Sequence, residues 1–565
     1  MEHILSYIVF IPLVGALVVL LTPKAYQHLY KVLAIGSTGL SLLLTLYAVH
    51  MFDGGLVPQI SGEANLQLVE KVEWFRLSLG SLGTFSVDYL LAADGLNISM
   101  LLLASIVLFI GAIACWKIKE KQKAYFGLYL LLSTSVLGCF VALDFFLFYL
   151  FFEFMLLPMY FLVGLWGGPR REYAAIKFFI YTLVGSILIL IVMIGLYNSV
   201  YDPVKTAELA SLNGTELSIE EVQALVAEGR IEEGQLVKSF NMLYMANPAN
   251  YIPGSLLERS GLSTLFGEPI RWMAFLAIFI GFAIKLPSFP FHTWLPDAHV
   301  EAPTPISVVL AGVLLKVGGY GLIRTAFAMF PDAAYHYAWL IGFLGMFSII
   351  YGAMNALAQK DLKKLIAYSS VSHMGFVLLG LAAMTSEGIS GAIYQMFSHG
   401  LISSMLFLIA GVLYDRTHNR TIEHYGGLAH QMPYYTVFVG IAFFASLGLP
   451  GFSGFIAELF VFIGAFKSSA VIGAIPAWMA IVSTLGLVLA AGYYLWTFQK
   501  MFLGKFWVKE KNWLPALKDL TIREYMVLVP LVVLIIAFGI YPGLLLNLIN
   551  TGVESFVGHL TEWSK

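Results

Sequence analysis

Residues 275–320 read FLAIFIGFAIKLPSFPFHTWLPDAHVEAPTPISVVLAGVLLKVGGY and place two lysines, Lys285 and Lys316, inside apolar helical sequence. Because a charged side chain near the bilayer centre costs at least ~2.5–3.5 kcal/mol, we expect both lysines to face a polar interior. Pro287 and Pro290 follow Lys285 and interrupt its helix. A broken helix at membrane depth is tolerated where protein or water satisfies its backbone, as along the ion paths of transporters. The alternative is a structural kink with a lysine that snorkels to the surface.

The composition is typical of a protein embedded in a membrane. Of the 565 residues, 59% are hydrophobic and only 12% are charged, and the mean hydropathy is +0.83, whereas soluble domains carry about 25% charged residues. A net charge of -2 excludes a large basic surface for nucleic acid. Cys115 and Cys139 lie in apolar sequence and fit no metal-ligand spacing, so we expect them to be buried bystanders. The N-terminal residues lack a basic region and a cleavage site, which predicts a first membrane span and no removable signal.

Apolar runs of about 20 residues, the length that crosses a bilayer, predict an all-α polytopic membrane protein with about fourteen transmembrane helices. The predicted helices cover residues 4–22, 31–50, 91–116, 124–142, 145–166, 173–200, 272–298, 303–327, 337–357, 366–384, 389–414, 434–467, 475–500 and 525–548. Proline and glycine predict that helices 7 and 12 of this series are discontinuous.

The loops predict the orientation of the chain. Most of the 32 Lys and Arg residues lie in loops that follow odd-numbered helices. Because cytoplasmic loops are enriched in Lys and Arg, we expect these loops in the cytoplasm and both termini outside.

One long acidic loop, at about 201–270, is the only soluble element that the sequence predicts. Within it, SIEE at 218–221 precedes an apolar-periodic run and resembles a capping box on a short amphipathic helix. The loop contains no Cys/His cluster or nucleophile motif, so a surface cap or a contact with a neighbouring subunit is the more natural interpretation.

The two helix breaks indicate an internal repeat. The first reads LPSF at 286–289 and the second LPGF at 449–452. If helices 4–8 and 9–13 form two five-helix units, each break falls in the fourth helix of its unit, and the odd helix count inverts the second unit. The predicted organisation is N-terminal helices 1–3 in 1–123, a first unit in 124–327 with the insertion, a second unit in 328–503, and a cytoplasmic loop with a C-terminal transmembrane helix in 504–565.

Further ionisable residues lie within predicted spans. Glu153 is a single carboxylate in LFYLFFEFMLLPMYFLVGLW, and Lys285 is the expected cationic partner. A pair whose separation can change would load and release a proton, and the alternative is a static buried ion pair. His373 and His399 lie in the tenth and eleventh helices, and each alone could be a hydrogen-bonded structural residue.

Taken together with Lys316, the two histidines lie between the breaks in chain order, as a lateral proton wire across the bundle requires. Glu458 follows the second break and is expected to end the wire. Six serines could hold waters between these groups, namely Ser369, Ser370, Ser372, Ser398, Ser403 and Ser404. Capping is expected for Asp94 and Asp144, whereas capping and proton uptake remain open for His292, Asp297 and His299.

These stretches, with LAADGLNISM, FFEFMLLPMYFLVGLWG, KDLKKLIAYSSVSHMGFVLLG and FSHGLISSMLFLIAGVLYDR, resemble the antiporter-like proton-channel subunits of respiratory complex I, the proton-pumping NADH:quinone oxidoreductase. The resemblance runs from about 85 to 503. In that family the M-type subunits carry a glutamate in the twelfth helix where the L- and N-type subunits carry a lysine, so Glu458 indicates the M-type. The insertion at 201–270 is longer than the family's usual loop.

The resemblance implies two inverted five-helix units and proton-transfer roles for matched positions: Glu153, Lys285, Lys316, His373, His399, Glu458 and, with less support, His292. It also implies a translocase subunit in the bacterial cytoplasmic (inner) membrane, with L- and N-type neighbours. The chain shows no nicotinamide, flavin, iron-sulfur or metal motif. NADH, FMN, iron-sulfur clusters and quinone are therefore expected in partner subunits.

Three other functions fit parts of the sequence. A subunit of a multi-subunit sodium/proton antiporter or of a membrane-bound hydrogenase would share the motifs, and co-purified partners would distinguish them. A scaffold that transports nothing would have to offset the cost of six buried ionisable groups. A solute carrier is disfavoured because no substrate-sized polar cluster accompanies the breaks.

Overall fold

The computed structural model describes residues 3–78, 80, 83–212, 217–231, 233–259 and 263–562. It is mostly helical, and within these ranges 13 helices are long and apolar enough to cross a membrane. The predicted fold class, a multi-pass helical membrane protein, is confirmed. The additional predicted span is the broken seventh helix, whose longer part has 16 residues.

The first half of the chain contains α1 (Ile4–Leu21), α2 (His28–Met51), α3 (Ile98–Ala114), α4 (Gln122–Val141), α5 (Phe145–Phe154), α6 (Leu156–Trp166), α7 (Arg171–Ser199), α8 (Pro203–Leu212), α9 (Ile219–Ala227), α10 (Met242–Ala246), α11 (Ile270–Lys285) and α12 (Trp294–Glu301). The second half contains α13 (Thr304–Val309), α14 (Leu315–Gly321), α15 (Pro331–His336), α16 (Ala338–Leu357), α17 (Leu362–Ala383), α18 (Ser386–Thr417), α19 (Pro433–Ser446), α20 (Ser453–Lys467), α21 (Ala477–Ser483), α22 (Leu485–Phe502), α23 (Ile522–Ile540) and α24 (Gly543–Glu562).

Within the described ranges, seven strands accompany the helices. They are β1 (Gln67–Ser78), β2 (Thr84–Ala93), β3 (Val237–Ser239), β4 (Thr264–Leu265), β5 (Glu268–Pro269), β6 (Tyr425–Gly426) and β7 (Trp507–Val508). β1 and β2 form an antiparallel hairpin, and β3 adds to β2 in parallel. The other four strands form two separate two-stranded pairs.

Both predicted breaks are present. The first separates α11 from α12, and the indole N–H of Trp294 donates to the Ile284 carbonyl across the gap at 2.8 Å. The second separates α19 from α20, and Gly448 and Gly451 there adopt positive φ angles of 77° and 97°. The predicted eighth helix consists of α13 and α14 with π-helical turns at Leu310–Leu314 and Leu322–Phe327.

Two predicted helix boundaries were wrong. The third helix was predicted from residue 91, but residues 84–93 form β2 and α3 begins at Ile98. Leu90–Ala93 are buried, and a short apolar run of this kind does not distinguish a buried strand from a helix. The last helix was predicted through residue 548, but α23 ends at Ile540 because Pro542 cannot continue it. The amphipathic helix α24 that follows was not predicted.

The loop at about 201–270 is therefore not the only element outside the long helices, because the β1–β2 hairpin and α24 were missed. Residues 213–216, 232 and 260–262 of the predicted insertion lie outside the described residues. The predicted capping box is confirmed: the Glu221 N–H donates to Ser218 Oγ, and the Ser218 N–H donates to Glu221 Oε2 at 2.8 Å. The insertion packs on the hairpin through buried Lys205, whose ammonium pairs with Asp88 at 2.5 Å.

The centre of the bundle is formed by α17 and α18. Nearly all their residues are buried, whereas α7 exposes a row of aliphatic side chains, among them Ile180, Ile187 and Ile191. Such a row is consistent with contact to lipid or to another membrane subunit. The polar residues of α17 and α18 therefore lie in the protein interior, where the candidate site is found.

Candidate functional site

Lys285 is the last residue of α11 and is buried at the first break. Its ammonium lies 5.0 Å from the centre of the Phe152 ring and 5.6 Å from that of Phe178, a cation–π environment. Glu153 lies in the last turn of α5 and directly follows Phe152, whose ring contacts Lys285. Among the described residues, Glu153 Oε1 is buried without a hydrogen-bond partner. Glu153 and Lys285 therefore lie close to each other in the fold, but Glu153 Oε1 makes no hydrogen bond to the ammonium.

Lys316 is fully buried in α14, one residue beyond its start and directly after a π-helical turn. Its Nζ donates to the Ala311 carbonyl at 2.6 Å and lies 2.7 Å from Nδ1 of His399. This contact forms when an ammonium donates to a neutral imidazole, and equally when an imidazolium donates to a neutral amine. One proton can therefore be held on either side of the contact, as proton exchange requires.

Gly318 lies where α14, which carries Lys316, packs against the end of α11, which carries Lys285. A Cβ on Gly318 would lie 2.7 Å from the backbone N of Leu286 and 3.0 Å from the carbonyl carbon of Lys285. A larger residue at position 318 would push α14 away from the end of α11. The close packing brings the backbone of Lys285 next to the helix that carries Lys316.

His399 on α18 faces His373 on α17, and their ring centres are 5.4 Å apart. His373 Nδ1 lies 3.2 Å from Gln395 Nε2 and 3.7 Å from Glu458 Oε1. His373 Nε2 lies 3.1 Å from Ser446 Oγ. Both ring nitrogens of His373 thus face polar groups, and Glu458 supplies the carboxylate.

A small cavity is lined by the two histidines and Glu458. Its volume is about 10 Å³, roughly the room that one water molecule needs. It is lined by His373, Gln395, Ser398, His399, Ile402, Ala445, Ser446, Gly454 and Glu458. A water there could bridge the two histidines and the carboxylate.

The second break positions Glu458. A Cβ on Gly448 would lie 2.3 Å from Glu458 Oε2, and Gly448 has a positive φ of 77°. Both the backbone conformation and the space require glycine there. The break therefore lets the carboxylate of α20 approach the backbone that follows α19.

The structure thus brings four of the predicted site residues into one connected group: Lys316, His399, His373 and Glu458. Lys285 lies at the first break, and Glu153 directly follows Phe152, whose ring contacts Lys285. We call these six residues the ionisable row. Sequence reasoning missed Gln395 and Ser446, which bond His373, although a polar residue within an apolar helix was an available signal.

His292 lies apart from the row. It is buried against Tyr351, with ring centres 5.0 Å apart, and its Nδ1 has no hydrogen-bond partner in the described ranges. His299 is also buried, stacks on Phe407 at 4.3 Å, and has neither ring nitrogen paired within the described part of the chain. Asp297 is accounted for by an ion pair with Lys177 at 2.7 Å.

The remaining polar residues have structural roles. Asp94 accepts hydrogen bonds from the Leu96 and Asn97 N–H groups and pairs with buried Arg324. Asp144 accepts from the Leu147 N–H at the start of α5. The capping predicted for Asp144 is confirmed, whereas Asp94 bonds the turn that precedes α3, whose N-cap is Asn97. Both cysteines are free and buried, as predicted.

The structure also bears on metal binding and on one titratable residue of the insertion. Across the described ranges, no group of three or more His, Cys, Asp or Glu residues is placed to hold a metal ion. On the insertion, burial raises the pKa of Asp202 to about 6, although the Lys205 N–H and charge oppose the shift.

Comparisons with known proteins find relatives similar to this chain in sequence. The sequence model of the family described as NADH:quinone oxidoreductase/Mrp antiporter, TM, matches residues 142–485. A protein named NADH-quinone oxidoreductase subunit M from Rhodobacter capsulatus is 37% identical over 561 residues, which cover 99% of this chain and 97% of that protein.

Among solved structures, a chain of respiratory complex I from Thermus thermophilus with bound NADH superposes with a TM-score of 0.74 at 29% identity, covering 99% of both chains. A chain of the Mrp complex from Dietzia sp. superposes with a TM-score of 0.73 at 19% identity, again over 99% of both chains. The second likeness is one of fold alone.

Proposed function

Because the chain belongs to the NADH:quinone oxidoreductase/Mrp antiporter transmembrane family, we propose that it is the M-type proton-translocating subunit of a proton-pumping quinone oxidoreductase. Protons cross the protein along the ionisable row, and the energy comes from quinone reduction elsewhere in the complex. The single observation that supports this most directly is the buried connection from Lys316 through His399 and His373 to Glu458.

The row has the chemistry that proton transfer needs. Each member can gain or lose a proton, and each lies in the protein interior, where an unpaired charge is costly. Neighbouring cationic groups such as Lys316 and His399 disfavour simultaneous protonation, so a proton that arrives at one promotes release from the next. The contact of 2.7 Å between them needs no rearrangement of helices for exchange.

Glu153 and Lys285 would control when a proton enters the row. When the carboxylate approaches, it favours the ammonium form of Lys285, and when it withdraws, the buried ammonium becomes unstable and gives up its proton. Phe152 and Phe178 leave room for such a change because ring faces hold a cation less rigidly than a paired carboxylate does. At the other end, Glu458 receives the proton from His373.

The proposed setting follows from the family. NADH oxidation, FMN, iron-sulfur clusters and quinone belong to partner subunits, and L- and N-type subunits are the proposed membrane neighbours. We place the chain in a bacterial cytoplasmic membrane with both termini outside, as the loop charges indicate. The division into 1–123, two inverted units in 124–327 and 328–503, and 504–565 remains part of this proposal.

The test uses inverted membrane vesicles that contain the complex. Glu153→Gln should largely abolish NADH-driven proton uptake because the amide cannot change the charge felt by Lys285, whereas Glu153→Asp should retain part of it. Glu172→Gln, on an exposed residue in the first turn of α7, is the matched control and should pump normally. Full uptake in Glu153→Gln vesicles would show that the carboxylate is structural.

A further inference from the structure

A row of hydroxyl groups begins at His373 and is not part of the ionisable row. His373 Nε2 lies 3.1 Å from Ser446 Oγ, which donates to the hydroxyl of Tyr494 at 2.7 Å. Tyr494 in turn donates to Ser369 Oγ at 3.1 Å. These groups join the end of α19, the middle of α22 and the first half of α17 in one continuous chain of side-chain hydrogen bonds.

Other buried tyrosines of the bundle are bonded differently. Tyr129 donates to the Leu108 carbonyl at 2.6 Å, and Tyr435 donates to the Ile409 carbonyl at 2.9 Å. Ser369 Oγ also donates to a backbone carbonyl, that of Ile366, at 2.8 Å, but it accepts from Tyr494 as well. Among the described residues, the hydroxyls of Tyr129 and Tyr435 bond a carbonyl and no other hydroxyl. Tyr494 lies instead between two serine hydroxyls, and each hydroxyl of this chain can both donate and accept.

Two more hydroxyls extend the cluster along α22. Tyr493 packs on Tyr494, with ring centres 4.5 Å apart, and Thr497 lies one turn further on. In the part of the chain that the structure describes, Tyr493 OH and Thr497 Oγ1 are buried without a hydrogen-bond partner. Unpaired buried polar groups are rare in proteins, and an ordered water is their usual partner.

The direction of the cluster follows from the helices that carry it. Ser369 lies seven residues after the start of α17, about 10 Å along the helix axis. Thr497 lies five residues before the end of α22, about 8 Å along its axis. Both helix ends lie at the face where the Lys- and Arg-rich loops emerge. The hydroxyls therefore extend from mid-membrane towards that face, which is the cytoplasmic face in the proposed orientation.

We propose that Ser446, Tyr494, Ser369, Tyr493 and Thr497 form a second branch of the proton path, which connects His373 and Glu458 with the cytoplasmic face. The inference rests on the proposed function of the ionisable row. Each hydroxyl oxygen that receives a proton releases its own hydrogen to the next acceptor, so no bond is left broken and no oxidant is needed. Because hydroxyl hydrogens rotate, the branch can carry protons in either direction.

The test compares three variants of the intact complex in inverted vesicles. Tyr494→Phe removes one hydroxyl and keeps the ring, and Tyr435→Phe is the matched control because it removes an equally buried hydroxyl that bonds a backbone carbonyl. Glu458→Gln tests the ionisable row itself. We measure protons taken up per electron transferred, and the ratio of uptake rates in H₂O and D₂O.

The branch predicts that Tyr494→Phe lowers the proton-to-electron ratio and increases the rate ratio between H₂O and D₂O, whereas Tyr435→Phe leaves both near the wild-type values. Equal effects in the two tyrosine variants, or normal pumping by Tyr494→Phe, would overturn the branch. Normal pumping by Glu458→Gln would instead refute the proposed function. If Tyr494→Phe fails to assemble, Ser369→Ala interrupts the same chain, and normal pumping by that variant likewise overturns the branch.

Discussion

Replacing Glu458 by glutamine tests the end of the ionisable row, because it removes a charge while keeping nearly the same shape. Glu458 Oε1 lies 3.7 Å from His373 Nδ1, and both side chains are buried. At an effective dielectric constant of about 20, opposite charges at this distance attract by about 4 kcal/mol. Loss of that attraction makes the protonated form of His373 about a thousandfold rarer, at roughly 1.4 kcal/mol per factor of ten.

Protons should then fail to reach the end of the row. We expect Glu458→Gln vesicles to take up far fewer protons per NADH oxidised, with normal amounts of assembled complex. The assay follows NADH oxidation and the quenching of a pH-sensitive dye in the same inverted vesicles. Glu387→Gln is the matched control, because Glu387 lies at the start of α18 in an exposed ion pair with Lys467. Pumping by Glu458→Gln at the level of Glu387→Gln would refute the role assigned to the carboxylate.

Two further predictions concern the second break and the insertion. Gly448→Ala should reduce pumping more than Gly473→Ala, because only at Gly448 would the new Cβ meet the Glu458 carboxylate. Both glycines have a positive φ, which costs about 1–2 kcal/mol for alanine, so the backbone cost is matched. Equal pumping in the two variants would contradict the placement of Glu458. The pKa of Asp202 is raised from 3.8 to about 6, so the folded protein holds the carboxyl proton of Asp202 more firmly than the unfolded chain does. Proton binding by Asp202 therefore contributes up to about 3 kcal/mol to the free energy of unfolding, and this contribution is lost as the pH rises from about 4 to 6. Asp202→Asn should therefore raise the thermal unfolding midpoint relative to wild type more at pH 7 than at pH 4.5, and a difference that does not change with pH would show that Asp202 is not held in its protonated form.

The sequence predicts the parts of the fold that local chemistry determines. Two lysines in apolar sequence were sufficient to predict a polar interior. Proline and glycine in LPSF at 286–289 and in LPGF at 449–452 were sufficient to predict the two broken helices. Ser218 and Glu221 predicted the start of α9 because a capping box is formed by residues three positions apart. The six members of the ionisable row could be named for the same reason, since a titratable residue within an apolar span is visible without any structure.

Features that depend on distant contacts were not predictable. Residues 84–93 form a strand because β1 and β3 pair with them, and their own apolar run fits a helix equally well. Likewise, Tyr494 looks like one more aromatic residue until Ser446 and Ser369, on two other helices, are found at its hydroxyl. Gln395 and Ser446 became site residues only because α18 and α19 place them against His373.

Proton translocation through this chain is tested most directly by the proton-to-electron ratio of the purified complex in proteoliposomes after Lys316→Met. Methionine keeps an unbranched side chain that is one atom shorter, and it removes the amine that lies 2.7 Å from His399. Lys467→Met, on an exposed lysine, is the control. We expect a lower ratio for Lys316→Met, with assembly intact and the control unchanged. A ratio equal to that of the wild type would show that protons do not pass through Lys316, and it would contradict the proposed path.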